Sequence, residues 1–158
     1  MIPVEVAFVS VDAAGSPVVF LRNIENKKKR LLPIWIGQSE AIAIHLQLKD
    51  ELPPRPFAHD LMKNIIEALS ATVDSIYVHS LKDRTFFALI NLTVGQETLQ
   101  IDARPSDSIA LALRSNAPIF VEEEIIAKNS FAEDDLVEKK ETSSLEDLDD
   151  DDLGRFTV

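Results

Sequence analysis

Two sets of three short apolar runs, separated by helix-forming stretches, constrain this chain more than any other feature. Val4–Val11 is β-branched and almost continuously apolar, which predicts a strand buried on both faces. Ala13–Pro17 is a turn, Val18–Arg22 a second strand, and Leu31–Ile36 a third after the connection 23–29. The second set comprises Val73–Leu81, Phe86–Val94 and Thr98–Ala103, parted by Lys82-Asp83-Arg84 and Gly95-Gln96. Between the sets lie two helical patterns. Gly37 and Ser39 open the first, with Ala41, Ile44 and Leu48 on one face, and Leu52–Pro56 ends it. The second spans about Ala58–Ser70 and carries Leu61, Met62, Ile65, Ile66 and Leu69 in one apolar stripe. A third helix starts at Pro105 and is stopped by Asn116–Pro118; Ile119–Val121 is a short strand and Glu122–Ala127 a helical turn. The expected fold is α+β, with a mainly antiparallel sheet built from two β-meanders and about three helices packed on it.

Charge divides the chain. Residues 1–121 hold 12 Lys/Arg and 13 Asp/Glu, whereas residues 122–158 hold 4 and 14. This predicts a near-neutral domain over 1–127 and an acidic, disordered tail over 128–158. An acidic tail repels phosphate backbones, so composition alone counts against a nucleic-acid surface. The basic cluster Lys27–Arg30 is most simply a charged hairpin tip, with a phosphate patch as the alternative. The absence of cysteine excludes disulfides, thiolate-held metal and thiol catalysis. No signal-peptide pattern opens the chain and no apolar run reaches membrane-spanning length, so a cytoplasmic protein without a membrane partner is expected. There is no Gly-rich phosphate loop, and His45, His59 and His79 form no metal motif. His45 reads as a helix-surface residue, His79 as a cross-strand hydrogen-bonder and Trp35 as a core or interface anchor.

The chemistry-bearing feature is a repeat. Arg55-Pro56 precedes a helix with His59 and Asp60 in its first turn, and Arg104-Pro105 precedes one with Ser106 and Asp107. One reading is structural: Ser106 caps its helix, Asp60 and Asp107 favour the positive end of the dipole, and the arginines and Asp102 form ion pairs. The residues alone favour it. The other reading brings the two helix starts together as an anion site, with His59 as acid or base and Glu40, Asp60, Asp102 and Asp107 around a hard cation. It requires helix starts closer than about 12 Å and arginines that are not buried in pairs with the aspartates.

Three stretches carry a resemblance: Leu32–Ala41 (LPIWIGQSEA), Arg55–Leu61 (RPFAHDL) and Ile101–Ala112 (IDARPSDSIALA). In order and spacing, together with Val78–Leu81, Phe86–Ala88 and Ala117–Val121, they resemble the bifunctional nuclease domain family over about residues 1–130. The resemblance implies an α+β domain that self-associates, with a dimer favoured, and cleavage of both RNA and DNA, as described for plant members. It brings no catalytic set. Two departures stand out. Ala58 replaces a Thr or Ser that would serve as an N-cap, and the acidic tail takes the place of a helical repair-type module, so no repair partner is inferred.

The resulting expectation is a metal-assisted nuclease of low sequence specificity. His59, Asp60 and Asp107 are its catalytic residues, Arg55 and Arg104 hold phosphate, and Asp102, Asp107 and Glu40 hold Mg²⁺ or Mn²⁺. The alternative is a non-catalytic binding or assembly domain whose Arg-Pro…Asp motifs are structural or bind a small anion.

Overall fold

Pairing turns both sets of strands into one sheet. The structure, a computed structural model, describes residues 1–136. In chain order its elements are β1 (Ile2–Val11), β2 (Pro17–Asn23), β3 (Arg30–Trp35), α1 (Gln38–Leu48), α2 (Ala58–Ala68), β4 (Ala71–Lys82), β5 (Thr85–Val94), β6 (Glu97–Ala103), α3 (Pro105–Ser115), β7 (Ile119–Val121), α4 (Glu123–Asn129) and β8 (Phe131–Ala132). Residues 133–136 begin a further helix. The eight strands lie in the order β6-β5-β4-β7-β1-β2-β3-β8, and β4 with β7 is the one parallel pair among the described residues.

Both expected meanders are present, but they are not separate. The three-residue strand β7 joins them: Ile119 and Val121 pair with Ile76 and Val78 of β4 on one side and with Val4 and Ile2 of β1 on the other. Among the described residues there are four helices and the start of a fifth, where about three were expected.

The main core lies between the sheet and the helices. Leu21, Leu32 and Ile34 from one meander and Ile76, Val78 and Ala88 from the other meet Ile44, Ile109 and Leu111 from α1 and α3. These residues bury their side chains almost completely, and that burial is the main force holding the domain together. A smaller cluster forms around Val18, Phe20 and Leu31, with Trp35 and Phe131 packed on it. There Phe8 stacks on Phe20 with centroids 4.7 Å apart, and Trp35 Nε1 donates to Asp12 Oδ2 at 2.9 Å. Pro33 is tolerated inside β3 because β8 pairs only with Arg30 and Leu31.

Four expectations need correction. β1 is central, yet only Val4 in it is buried, and most of the strand is half-exposed. The expected tail boundary at 128 falls inside folded structure: Phe131 packs on the smaller cluster, and Glu133 pairs with Arg22, which also reaches Glu5 at 3.0 Å. The rest of the tail, residues 137–158, lies outside the described residues. Ser106 does not cap α3, since Arg104 is the N-cap and Pro105 the first helical residue. Nor is position 58 the cap of α2. Phe57 is, and Asp60 Oδ2 accepts its N–H at 2.9 Å.

Candidate active site

Three helices begin at one place. The first turns of α1, α2 and α3 line a groove of about 500 Å³. At none of the three starts does the N-cap residue's own side chain accept a first-turn N–H, and the positive dipole ends of the helices face one groove. Each helix carries an acid at its third residue, namely Glu40, Asp60 and Asp107.

The two Arg-Pro helix starts meet. His59 Nε2 lies 2.9 Å from Asp107 Oδ1. Arg104 donates from Nε to Asp107 Oδ2 at 2.8 Å and from its terminal nitrogen to Glu40 Oε1, also at 2.8 Å. The result is a chain His59–Asp107–Arg104–Glu40 across all three helix starts. Its members differ in burial: the His59 side chain is 7% exposed and that of Arg104 56%. Gly37 makes room for this arrangement, because a Cβ there would stand 2.1 Å from Glu40 Oε2.

Burial alone would raise the Asp107 carboxyl. The hydrogen bonds from Arg104 and His59 outweigh it and hold the group below the ordinary carboxylate value. An ionised Asp107 can only accept, so the proton in this contact is on His59 Nε2. Arg104 is pushed up by the hydrogen bonds to Asp107 and Glu40 and stays charged.

Other expected site residues lie elsewhere. Asp60 instead accepts a hydrogen bond from Arg114 Nε on its Oδ1 at 2.7 Å. It lines a second cavity, of about 350 Å³, with Gln47 and Lys63. Its expected catalytic place is therefore corrected to an ion pair beside the groove. Arg55 is exposed in the loop before α2 and makes no ion pair among the described residues, so it does not join Arg104. Asp102 is opposite Leu89 in the β5–β6 ladder, whose neighbours Ala88 and Ile90 point into the core. Strand alternation therefore places Asp102 on the face of the sheet away from the helices. The cation set Asp102, Asp107 and Glu40 does not converge, and no three His, Asp or Glu side chains among the described residues form a metal cradle. Both oxygens of Asp107 and one of Glu40 are already taken by His59 and Arg104. As arranged, these residues do not fit Mg²⁺ or Mn²⁺.

Arg114 was not a candidate in the sequence. Its side chain is 3% exposed, and it donates to Asp60, to the Ala110 carbonyl at 2.8 Å and to the Ala43 carbonyl at 3.0 Å. It thus binds α1, α2 and α3 to one another. The available signal was an arginine ending the apolar run Ile109–Leu113; its partners lie 54 and 71 residues away.

Residues 19–134 match the family described as the bifunctional nuclease domain. The chain belongs to that family. An uncharacterized protein of Mycobacterium tuberculosis is 39% identical over 131 residues, covering 83% of this chain and 77% of the relative. Bifunctional nuclease 1 of Oryza sativa subsp. indica is 26% identical over 121 residues, covering 75% of this chain but only 36% of the plant protein. Bifunctional nuclease 2 of Oryza sativa subsp. japonica is 28% identical over 113 residues, covering 70% and 34%. All four residues of the His59–Asp107–Arg104–Glu40 chain fall inside the bifunctional nuclease domain match.

Proposed function

We propose that the groove is the active site of a nuclease that hydrolyses RNA and DNA phosphodiester bonds with little sequence preference. The observation that carries this reading is the convergence of three helix starts on a histidine held by an ionised aspartate, beside a half-exposed arginine. Membership of the family and the names of its plant relatives support it. The phosphate sits against the helix N–H groups and the free edge of Arg104. His59 Nδ1 accepts a proton from the attacking water as the water oxygen bonds to phosphorus. Asp107 stabilises the imidazolium that forms. The P–O bond to the leaving nucleoside breaks, and that oxygen is protonated from solvent. Arg104 holds the charge that develops on the phosphoryl oxygens. Helix N–H groups and an arginine read the backbone, which accounts for low sequence preference.

A cation at Glu40 and Asp107 would first require Arg104 to release both. The decisive experiment is cleavage of labelled RNA and DNA by highly purified protein with Mg²⁺, Mn²⁺ or EDTA. Wild type is compared with Asp107→Asn and His59→Gln, and thermal melts check folding. Loss of about 10²–10⁴ in rate in folded variants is expected, with activity retained in EDTA. Activity that vanishes in EDTA would mean that Arg104 yields the carboxylates to metal. The engagement of Arg104 and Arg114 by carboxylates favours the second reading, a binding or assembly domain. Absence of cleavage under every condition would select it.

We also propose self-association through α2. Leu61, Ile65 and Leu69 stand 52%, 50% and 70% exposed, a contiguous apolar strip that a second copy would cover.

A further inference from the structure

We propose that the groove takes one unstacked nucleobase against Phe57, so that its substrate is single-stranded nucleic acid; this rests on the nuclease reading above. The groove has two chemically different sides. One is the ion-paired chain of His59, Asp107 and Arg104; the other is apolar, made by Phe57, Met62 and Ile42. These three side chains are 44%, 39% and 49% exposed, and none belongs to either hydrophobic cluster.

Phe57 is the informative residue. It occupies the N-cap of α2, where Ser, Thr, Asp or Asn would stabilise the helix by accepting a first-turn N–H. A phenyl group accepts nothing there and leaves apolar surface in water. The helix start forgoes a capping side chain for a phenyl ring that is still 44% exposed, the kind of conflict that accompanies a functional surface. The groove beside it has charge at one side and an aromatic face at the other. A nucleotide has the matching pair of features, a phosphate and a flat π-faced base. Every base offers such a face, so the seat discriminates strandedness rather than sequence. Bases of a duplex are already stacked and would have to flip out to reach Phe57.

The test compares three labelled DNA substrates: a single strand, the same strand as a duplex, and an oligomer of abasic deoxyribose phosphates. Wild type, Phe57→Ala and Phe57→Trp are assayed for kcat/KM and, by fluorescence anisotropy, for binding. For wild type the single strand is expected to exceed the abasic oligomer by roughly 5- to 150-fold, the range for one base–aromatic stack. The ratio should fall towards unity in Phe57→Ala and return in Phe57→Trp, with the duplex a poor substrate throughout. A purely structural role for Phe57 would depress both substrates and preserve the ratio, which overturns the proposal. So would a wild-type enzyme indifferent to the missing bases. If nothing is cleaved, the nuclease reading fails, and the binding ratio alone decides whether Phe57 seats a base.

Discussion

At the scale of single residues, the domain depends on a few charges placed against helix starts. Arg114 is the most exposed to this logic. Replacing it with Met keeps most of the volume but leaves Asp60 without its cation and the Ala43 and Ala110 carbonyls without a donor. The expected cost is about 3 kcal/mol, read from urea unfolding; a change below about 1 kcal/mol would show that water replaces the guanidinium. Asp60 and Asp107 also set a pH dependence. Burial works to raise both carboxyls, but the Phe57 N–H and Arg114 lower the first and Arg104 and His59 lower the second, leaving both below the ordinary value. The unfolded chain then binds more protons in the acid range. Their stabilisation is complete above the unfolded value of about 4 and is lost as pH falls through the folded values. Urea midpoints should drop between about pH 5 and about pH 2, and the double change Asp60→Asn, Asp107→Asn should flatten that drop.

At the scale of elements, helix existence and helix burial separate. α1 carries Ile42 and Ile44 two positions apart, one 49% exposed and the other fully buried. Ile44→Ala should cost about 3 kcal/mol, and Ile42→Ala less than about 1 kcal/mol, in thermal or urea unfolding. Equal effects would mean that α1 is rotated relative to the sheet. In α2 the expected apolar stripe exists, but of its residues only Ile66 packs on the main core; His59 is the one buried residue of the helix, while Leu61, Met62 and Ile65 face out. Amphipathic spacing identifies a helix and its apolar side; it does not state that the same chain covers that side. Strands behaved similarly. β6 was legible from its sequence, yet at the edge of the sheet it is exposed along its length except at Ala103, which packs on the main core.

At the scale of the whole molecule, the exposed α2 strip predicts a dimer. Sedimentation velocity should find a species twice the monomer mass, and Leu61→Lys with Ile65→Lys should return it to monomer with its circular dichroism retained. A wild-type monomer at every accessible concentration would remove the proposal. No helix among the described residues is long and apolar enough to cross a membrane. The α+β class, the two meanders, the three main helices and the pairing of Arg-Pro with a helix start were all determined by the sequence alone. Each rests on local physics: alternation, proline geometry, turn residues and dipole-favoured acids act within a few positions. Only the tertiary structure decided that β7 would join the meanders, that Asp102 would face away, and that His59 would reach Asp107 while Asp60 reached Arg114. The physical reason is distance along the chain. His59 and Asp107 are 48 residues apart, and adjacent residues on one helix point about 100° apart, so which of His59 and Asp60 enters the groove depends on how α2 is rotated against the sheet. That rotation is set by packing of the whole core, and no local pattern encodes it.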